Sequence, residues 1–178
     1  MRYAPTLALL ARLPARRPAP WLPSRLGELF EKLALCPDPA AAERLEDEIW
    51  SAWMYHGHEE AEGALERAAG DIAAQRYDLA ETRLAILVRR RPEWAEAWNK
   101  LATLHYLRGE DDASVAAIHR TLELEPRHFG ALAGFGEVLS AQGAAEAARF
   151  AFAAALRLYP LHAGVRRSVS GLRGARAA

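Results

Sequence analysis

The chain has 178 residues, 51% of them hydrophobic, and its 23 basic and 23 acidic side chains cancel. A chain of that length buries roughly 70% of its surface in one domain, and a lone cysteine, Cys36, excludes an internal disulfide. The charge is uneven: residues 1–27 hold five arginines and residues 161–178 four, with no acid in either, which leaves 14 basic residues against all 23 acids and a net of −9 between 28 and 160. A nucleic-acid platform needs the reverse.

Residues 1–23 are interrupted by Pro5, Pro14, Pro18, Pro20 and Pro23 in a background of Ala, Leu and Arg. The pattern predicts a stretch that does not pack, either a disordered leader or a targeting segment. As an export signal it is short, because Arg12 ends the apolar run that starts at Ala4; an arginine-rich, acid-free transit segment is the other targeting reading. No stretch approaches the roughly 20 apolar residues that span a bilayer, so the chain reads as soluble, with the compartment unassigned and the cytoplasm slightly favoured over the periplasm.

Residues 24–58 read as a helical hairpin. Leu26, Leu29, Phe30 and Leu33 share one face of a first helix from Ser24 to Leu35, and Ser24 is placed to cap it. Cys36-Pro37-Asp38-Pro39 breaks the chain; Asp38 caps the second helix, Pro39 takes its first position, and Leu45, Ile49, Ala52 and Trp53 form its apolar stripe until Gly57 stops it. Leu33 to Cys36 resemble a lipoprotein site only faintly, since Glu28, Glu31 and Lys32 interrupt the preceding helix. The hairpin is expected to cover the open end of the array that follows, because a terminal repeat otherwise leaves an apolar flank in water.

From residue 59 the chain repeats. Pro92, Pro126 and Pro160 recur at a fixed interval, and the segments 61–94, 95–128 and 129–162 superpose position by position. Position eight is Ala68, Ala102 and Gly136, and position twenty is Ala80, Ser114 and Ala148, so small residues face small residues where two helices approach. Larger groups surround them: Trp98 and Leu132 at four, Leu101 and Phe135 at seven, Leu84, Ile118 and Phe152 at twenty-four. Gly109 and Gly143 at position fifteen end each first helix with a left-handed residue, and the proline ends each second helix. The first unit departs, with Arg67 and Asp71 at inward positions; Leu65, Ala68, Ala69 and Ile72 make a better stripe and predict a helix rotated by about one residue, roughly 100°. Residues 161–173, with Leu161, Val165, Val169 and Leu172 at helical spacing, predict a helix over the far end and a frayed tail beyond.

In these residues the chain resembles the tetratricopeptide repeat family, whose Trp, Leu, Gly, Tyr, Ala, Phe, Ala and Pro stand at fixed offsets. Ala95-Glu-Ala-Trp98 opens the second unit and Leu124-Glu-Pro126 closes it, while Phe135, Gly136, Gly143, Ala148, Phe152, Ala155 and Pro160 fill the family positions of the third. More narrowly, Glu48-Ile-Trp-Ser-Ala-Trp53, Ala95-Glu-Ala-Trp-Asn-Lys100, Thr121-Leu122 and Glu125-Pro-Arg-His-Phe-Gly-Ala-Leu132 are similar to small bacterial repeat proteins of unassigned activity. The resemblance implies an all-α, right-handed solenoid of about three helix pairs: repeat 1 at 59–94, repeat 2 at 95–128, repeat 3 at 129–160, with the hairpin 24–58 before them and a capping helix and tail at 161–178.

Chemistry is sparse. His56, His58, His105, His119, His128 and His162 do not fall into a four-ligand zinc spacing, so no metal is expected. No nucleophile elbow, phosphate loop or paired catalytic carboxylates occur, and neither enzyme activity nor a cofactor is expected. Arg89-Arg90-Arg91 ends a helix, where positive charge suits the dipole. The expected role is binding of a peptide or partner protein in the concave groove lined by the first helices. In repeat 2 that wall is Glu96, Asn99, Thr103 and Tyr106, with Lys100 beside them; repeat 3 offers Gly130, Ala133, Glu137 and Ser140, and Arg127 and His128 stand at the turn between. Leu65 and Ala69 replace the Lys and Asn with which some relatives hold a C-terminal carboxylate, which disfavours that ligand. Neither nucleic acid nor a membrane is an expected partner. The alternative is a structural subunit that assembles with itself or within a larger complex.

Overall fold

A computed structural model describes residues 3–20 and 22–174; the remaining parts of the predicted leader and tail lie outside the described residues. Among the described residues the chain is all helix and connecting turn. After α1 (Ala4–Arg12) and one turn of 3-10 helix (Leu13–Ala15) come α2 (Arg25–Leu35) and α3 (Pro39–Met54). Three antiparallel pairs follow: α4 (Glu59–Ala73) with α5 (Tyr77–Arg90), α6 (Ala95–Leu107) with α7 (Asp111–Leu124), and α8 (Phe129–Ala141) with α9 (Ala145–Leu158); α10 (Ala163–Gly174) closes the chain. Each helix packs most closely on its pair partner, while α5 on α6 and α7 on α8 carry the array forward, so the molecule is an all-α solenoid. Helix α10 lies against α9 and α8, and Arg149 Nη2 donates to the Leu172 carbonyl at 2.8 Å.

The repeat is written in the turns. Gly109 and Gly143 adopt φ +73°, and the N–H groups of Glu110 and Ala144 reach back to the carbonyls of His105 and Leu139 at 2.8 and 2.9 Å. This six-residue closure satisfies carbonyls that a helix end leaves free. The first repeat makes the same closure, Arg76 N–H to the Asp71 carbonyl at 2.8 Å, with Gln75 in the glycine's place at φ +57°. The small residues do what their size predicts. A methyl on Gly136 would collide with the Phe152 ring, and Ser114 Oγ donates to the Ala102 carbonyl at 2.9 Å across the corresponding contact.

Repeat 1 does not rotate fully. Leu65 is buried and Arg67 exposed, as the shifted stripe requires, yet Asp71 keeps its inward place, because Arg76 and Arg83 each bond one of its carboxylate oxygens (2.7 and 2.8 Å). Those bonds hold its carboxyl below the usual aspartate value, with Arg83 the larger influence.

The N-terminal third departs most from expectation. Residues 3–20 pack. Leu9, Leu10 and Leu13 are buried in one cluster with residues of α7, α8 and α9, Tyr3 stacks edge-on against Phe135 at 6.2 Å, and Thr6 Oγ1 lies 3.1 Å from His119 Nδ1. The prolines that suggested an unpacked leader delimit this helix instead: Pro5 sits in its first turn, where no N–H is needed, and Pro14 follows its end. The chain then crosses the end of α7, where Arg16 Nη2 and Ala19 N–H donate to the carbonyls of Glu123 and Leu124 (both 3.1 Å).

The hairpin α2–α3 lands on the turns between repeats, not on the open end of the array. Leu26, Phe30, Leu33, Ile49 and Trp53 form a cluster with Phe129 at the start of α8 and Tyr159 at the end of α9. The physical reason is that the turns offer large aromatic residues to bury against, whereas the outer flank of α4 offers only Ala61 and Ala64. Asp38 caps α3 through Ala41 N–H (2.9 Å), but Ser24, itself in helical geometry, makes no capping bond with its side chain.

Candidate functional site

The predicted wall divides into a closed half and an open half. In the closed half Trp53 of α3 stacks on His128, ring centroids 3.9 Å apart and planes 9° from parallel, and Trp50 sits edge-on to the same ring at 5.5 Å. His128 begins α8 as its cap: Nδ1 accepts from Ala131 N–H at 3.1 Å, which leaves Nε2 to carry the proton toward Glu96 Oε2 at 2.9 Å. Asn99 Nδ2 donates to the same oxygen at 3.2 Å, and Lys100 Nζ stands 2.8 Å from Glu96 Oε1 and 5.0 Å over the Trp50 ring. A carboxylate at 0% exposure survives only with such partners. Burial pushes the Glu96 pKa up, but the bond from His128 and the charge of Lys100 outweigh it, so the group stays ionised below the ordinary glutamate value.

Glu96 and His128 are therefore buried and do not line the groove, which corrects the sequence expectation, whereas Asn99, though 5% exposed, still borders the cleft between α6 and α8. The three join α3 to the starts of α6 and α8. Gly130, the concave position two of repeat 3, serves the same junction, since a methyl there would fall 2.7 Å from Trp50. Arg127 is similarly engaged, bonding the buried Glu125 carboxylate through Nε and Nη2 (2.9 and 2.8 Å) and lying 4.7 Å over the Phe30 ring. Lys100 is only partly exposed.

Thr103, Tyr106 and Glu137 remain on the open half. Thr103 is exposed and donates to the Asn99 carbonyl at 3.1 Å; Tyr106 is 39% exposed; Glu137 accepts from Ser168 Oγ of α10 at 2.5 Å. Between α6 and α8 they border a cleft of about 160 Å³, floored by Ile118 and Gly134. The structure thus gathers Glu96, Asn99, Lys100 and His128 into one cluster and sets Thr103, Tyr106 and Glu137 around an opening that Asn99 also borders. Sequence reasoning missed Trp50 as the group that covers the wall, although a glycine at position two of an otherwise regular helix was a signal for close approach. His105, half-buried, bonds Glu110 at 2.6 Å. Among the described residues no group of three His, Cys, Asp or Glu converges as a metal site, and no helix is long and apolar enough to cross a membrane.

No family model matches the chain. It is similar to a TPR repeat-containing protein of Rhizobium etli, 33% identical over 136 residues that cover 76% of this chain and 67% of the relative.

Proposed function

The chain belongs to the tetratricopeptide repeat family, and from that premise we propose that it is a non-catalytic interaction module that holds an extended peptide or a partner helix against the open half of its concave wall. The cleft between α6 and α8, with Tyr106 exposed on its rim, is the observation that supports this reading. Its volume suits one modest apolar side chain, Tyr106 supplies contact area at low entropic cost, and Thr103 and Glu137 offer hydrogen-bond groups to a peptide backbone. Because Glu137 carries the charge of this opening, a segment with a donor or a basic group next to its anchor residue suits it better than an acidic one.

Gly134→Leu tests the reading, since a Cβ there meets only Ile118 at 3.9 Å and the longer side chain would fill the cleft without disturbing the helix. With a photoreactive residue at Thr103, the native chain is expected to crosslink a partner in the source cell, and the Gly134→Leu chain to lose that product while melting normally. Undiminished crosslinking in the variant would move the binding surface elsewhere.

A further inference from the structure

The positions that bury later repeats are bare in the first. Position one is Ala61, Ala95 and Phe129; position twenty-six is Ile86, Arg120 and Ala154. Ala95, Phe129 and Ala154 are all buried, whereas Ile86 is 39% exposed and Leu79, on the same stripe of α5, is 51% exposed. The hairpin reaches repeat 1 only at its end, where Met54 packs on the Leu65–Leu84 cluster and the His56 and Gly57 N–H groups donate to Glu62, and α1 packs on repeats 2 and 3, so Leu79 and Ile86 stay uncovered. What is left between α4 and α5 is an open cleft of about 510 Å³ with Ala61, Ala64 and Ile86 on its floor.

We propose that this flank binds the same flank of a second copy of the chain, α5 against α5 and antiparallel about a two-fold axis. The flank carries both halves of a helix contact. Leu79, two turns before Ile86, projects as a knob, and Ile86 with Ala61 and Ala64 lines a hole into which a knob fits. A surface with knob and hole side by side is self-complementary, which is the requirement for a closed two-fold pair. Setting the axis midway between Leu79 and Ile86 brings Leu79 of each copy to the cleft of the other.

The charges agree with that arrangement. Glu59 and Glu60 begin α4, Arg90 and Arg91 end α5, and none of the four has an ion-pair partner among the described residues. In the antiparallel pair Asp78, 98% exposed and held within its own chain by Arg108 at 3.8 Å, approaches Arg90 and Arg91 of the other copy, and Arg76, 55% exposed beside its bond to Asp71, approaches that copy's Glu59 and Glu60. An apolar helix from a different protein would satisfy the knobs but has no reason to match both charged ends.

Sedimentation equilibrium of the full chain over a wide concentration range tests this. The mass is expected to rise from 19.6 kDa toward twice that value. Ile86→Glu should weaken dimerisation about tenfold or more, with an unchanged helical spectrum because the site is exposed. Asp78→Arg should weaken it as well, and Asp78→Arg combined with Arg90→Asp should restore it, an outcome that general damage does not produce. A chain that stays at 19.6 kDa at every concentration, or a dimer that Ile86→Glu leaves equally tight, would overturn the proposal. So would a photoreactive residue at position 86 that crosslinks only to another protein, which would assign the flank to a foreign helix.

Discussion

Position eleven is Asp71 in the first repeat, His105 in the second and Leu139 in the third, and position sixteen answers with Arg76, Glu110 and Ala144. The same turn is therefore held by an ion pair, by an imidazole–carboxylate bond and by apolar contact in succession. Repeat 1 and repeat 3 differ in the same sense as a whole. Repeat 3 buries Phe129, Leu132, Phe135 and Phe152 and is covered by α1, the hairpin and α10; repeat 1 has Trp94 as its one large buried aromatic among leucines and alanines, relies on Arg76 and Arg83 around Asp71, and leaves Leu79 and Ile86 of its outer flank in water. A helical array is stabilised by what each unit leans on, so the covered end should be the stable end. The N-terminal residues add to that imbalance, since the chain begins by packing on its last two repeats before it builds the first.

The largest effect expected from breaking this asymmetry is at Glu96. Glu96→Ala strands His128 beneath Trp53 and Lys100 against Trp50 and should cost about 3–5 kcal/mol, read as a loss in the urea midpoint. The acid side of the stability curve sharpens the point. Because the folded state lowers the pKa of Glu96, its contribution is complete above the ordinary glutamate value and is lost as pH falls through the lowered one. Glu96→Gln should flatten that limb, and a variant as acid-sensitive as the native chain would show that the cluster is not coupled to folding.

Leu10→Ala comes next. Leu10 is 1% exposed in the cluster shared by α1, α7 and α9, and truncation should cost about 2–5 kcal/mol. An unaltered thermal midpoint would mean that α1 contributes nothing and that the covered end owes its stability to the repeats alone. The smallest effect has the opposite sign. Gln75→Gly relieves a left-handed side chain at the place where repeats 2 and 3 use glycine, and a gain of roughly 0.5–1 kcal/mol is expected after the entropy glycine loses on folding. A lower midpoint would indicate that the Gln75 side chain holds the turn in some other way.

The repeats were legible because their determinants are local: a proline at a fixed interval, small residues at the close contacts, Gly109 and Gly143 at the turns, Asp38 before Pro39. The cover was not legible because its partners are remote in sequence. Tyr3 meets Phe135 and Gln142, Thr6 meets His119, and Trp53 meets His128, pairings that no short pattern encodes. Reading Ala4 to Ala11 as a short apolar run took a packed helix for a leader. For the same reason Glu96 and Asn99, polar residues at groove positions, read as surface until two tryptophans arrived from α3. What survives of the predicted site, Thr103, Tyr106 and Glu137, is the part that the cover does not reach.

Native-state hydrogen exchange, resolved by residue, tests most directly whether the covered end is the stable one. The amides of α1, α3 and α6 to α9 should open together at the global unfolding free energy, and those of α4 and α5 should open earlier. Exchange of α1 and α3 at the rates of an unstructured chain, or repeat 1 protected as strongly as repeat 3, would contradict it.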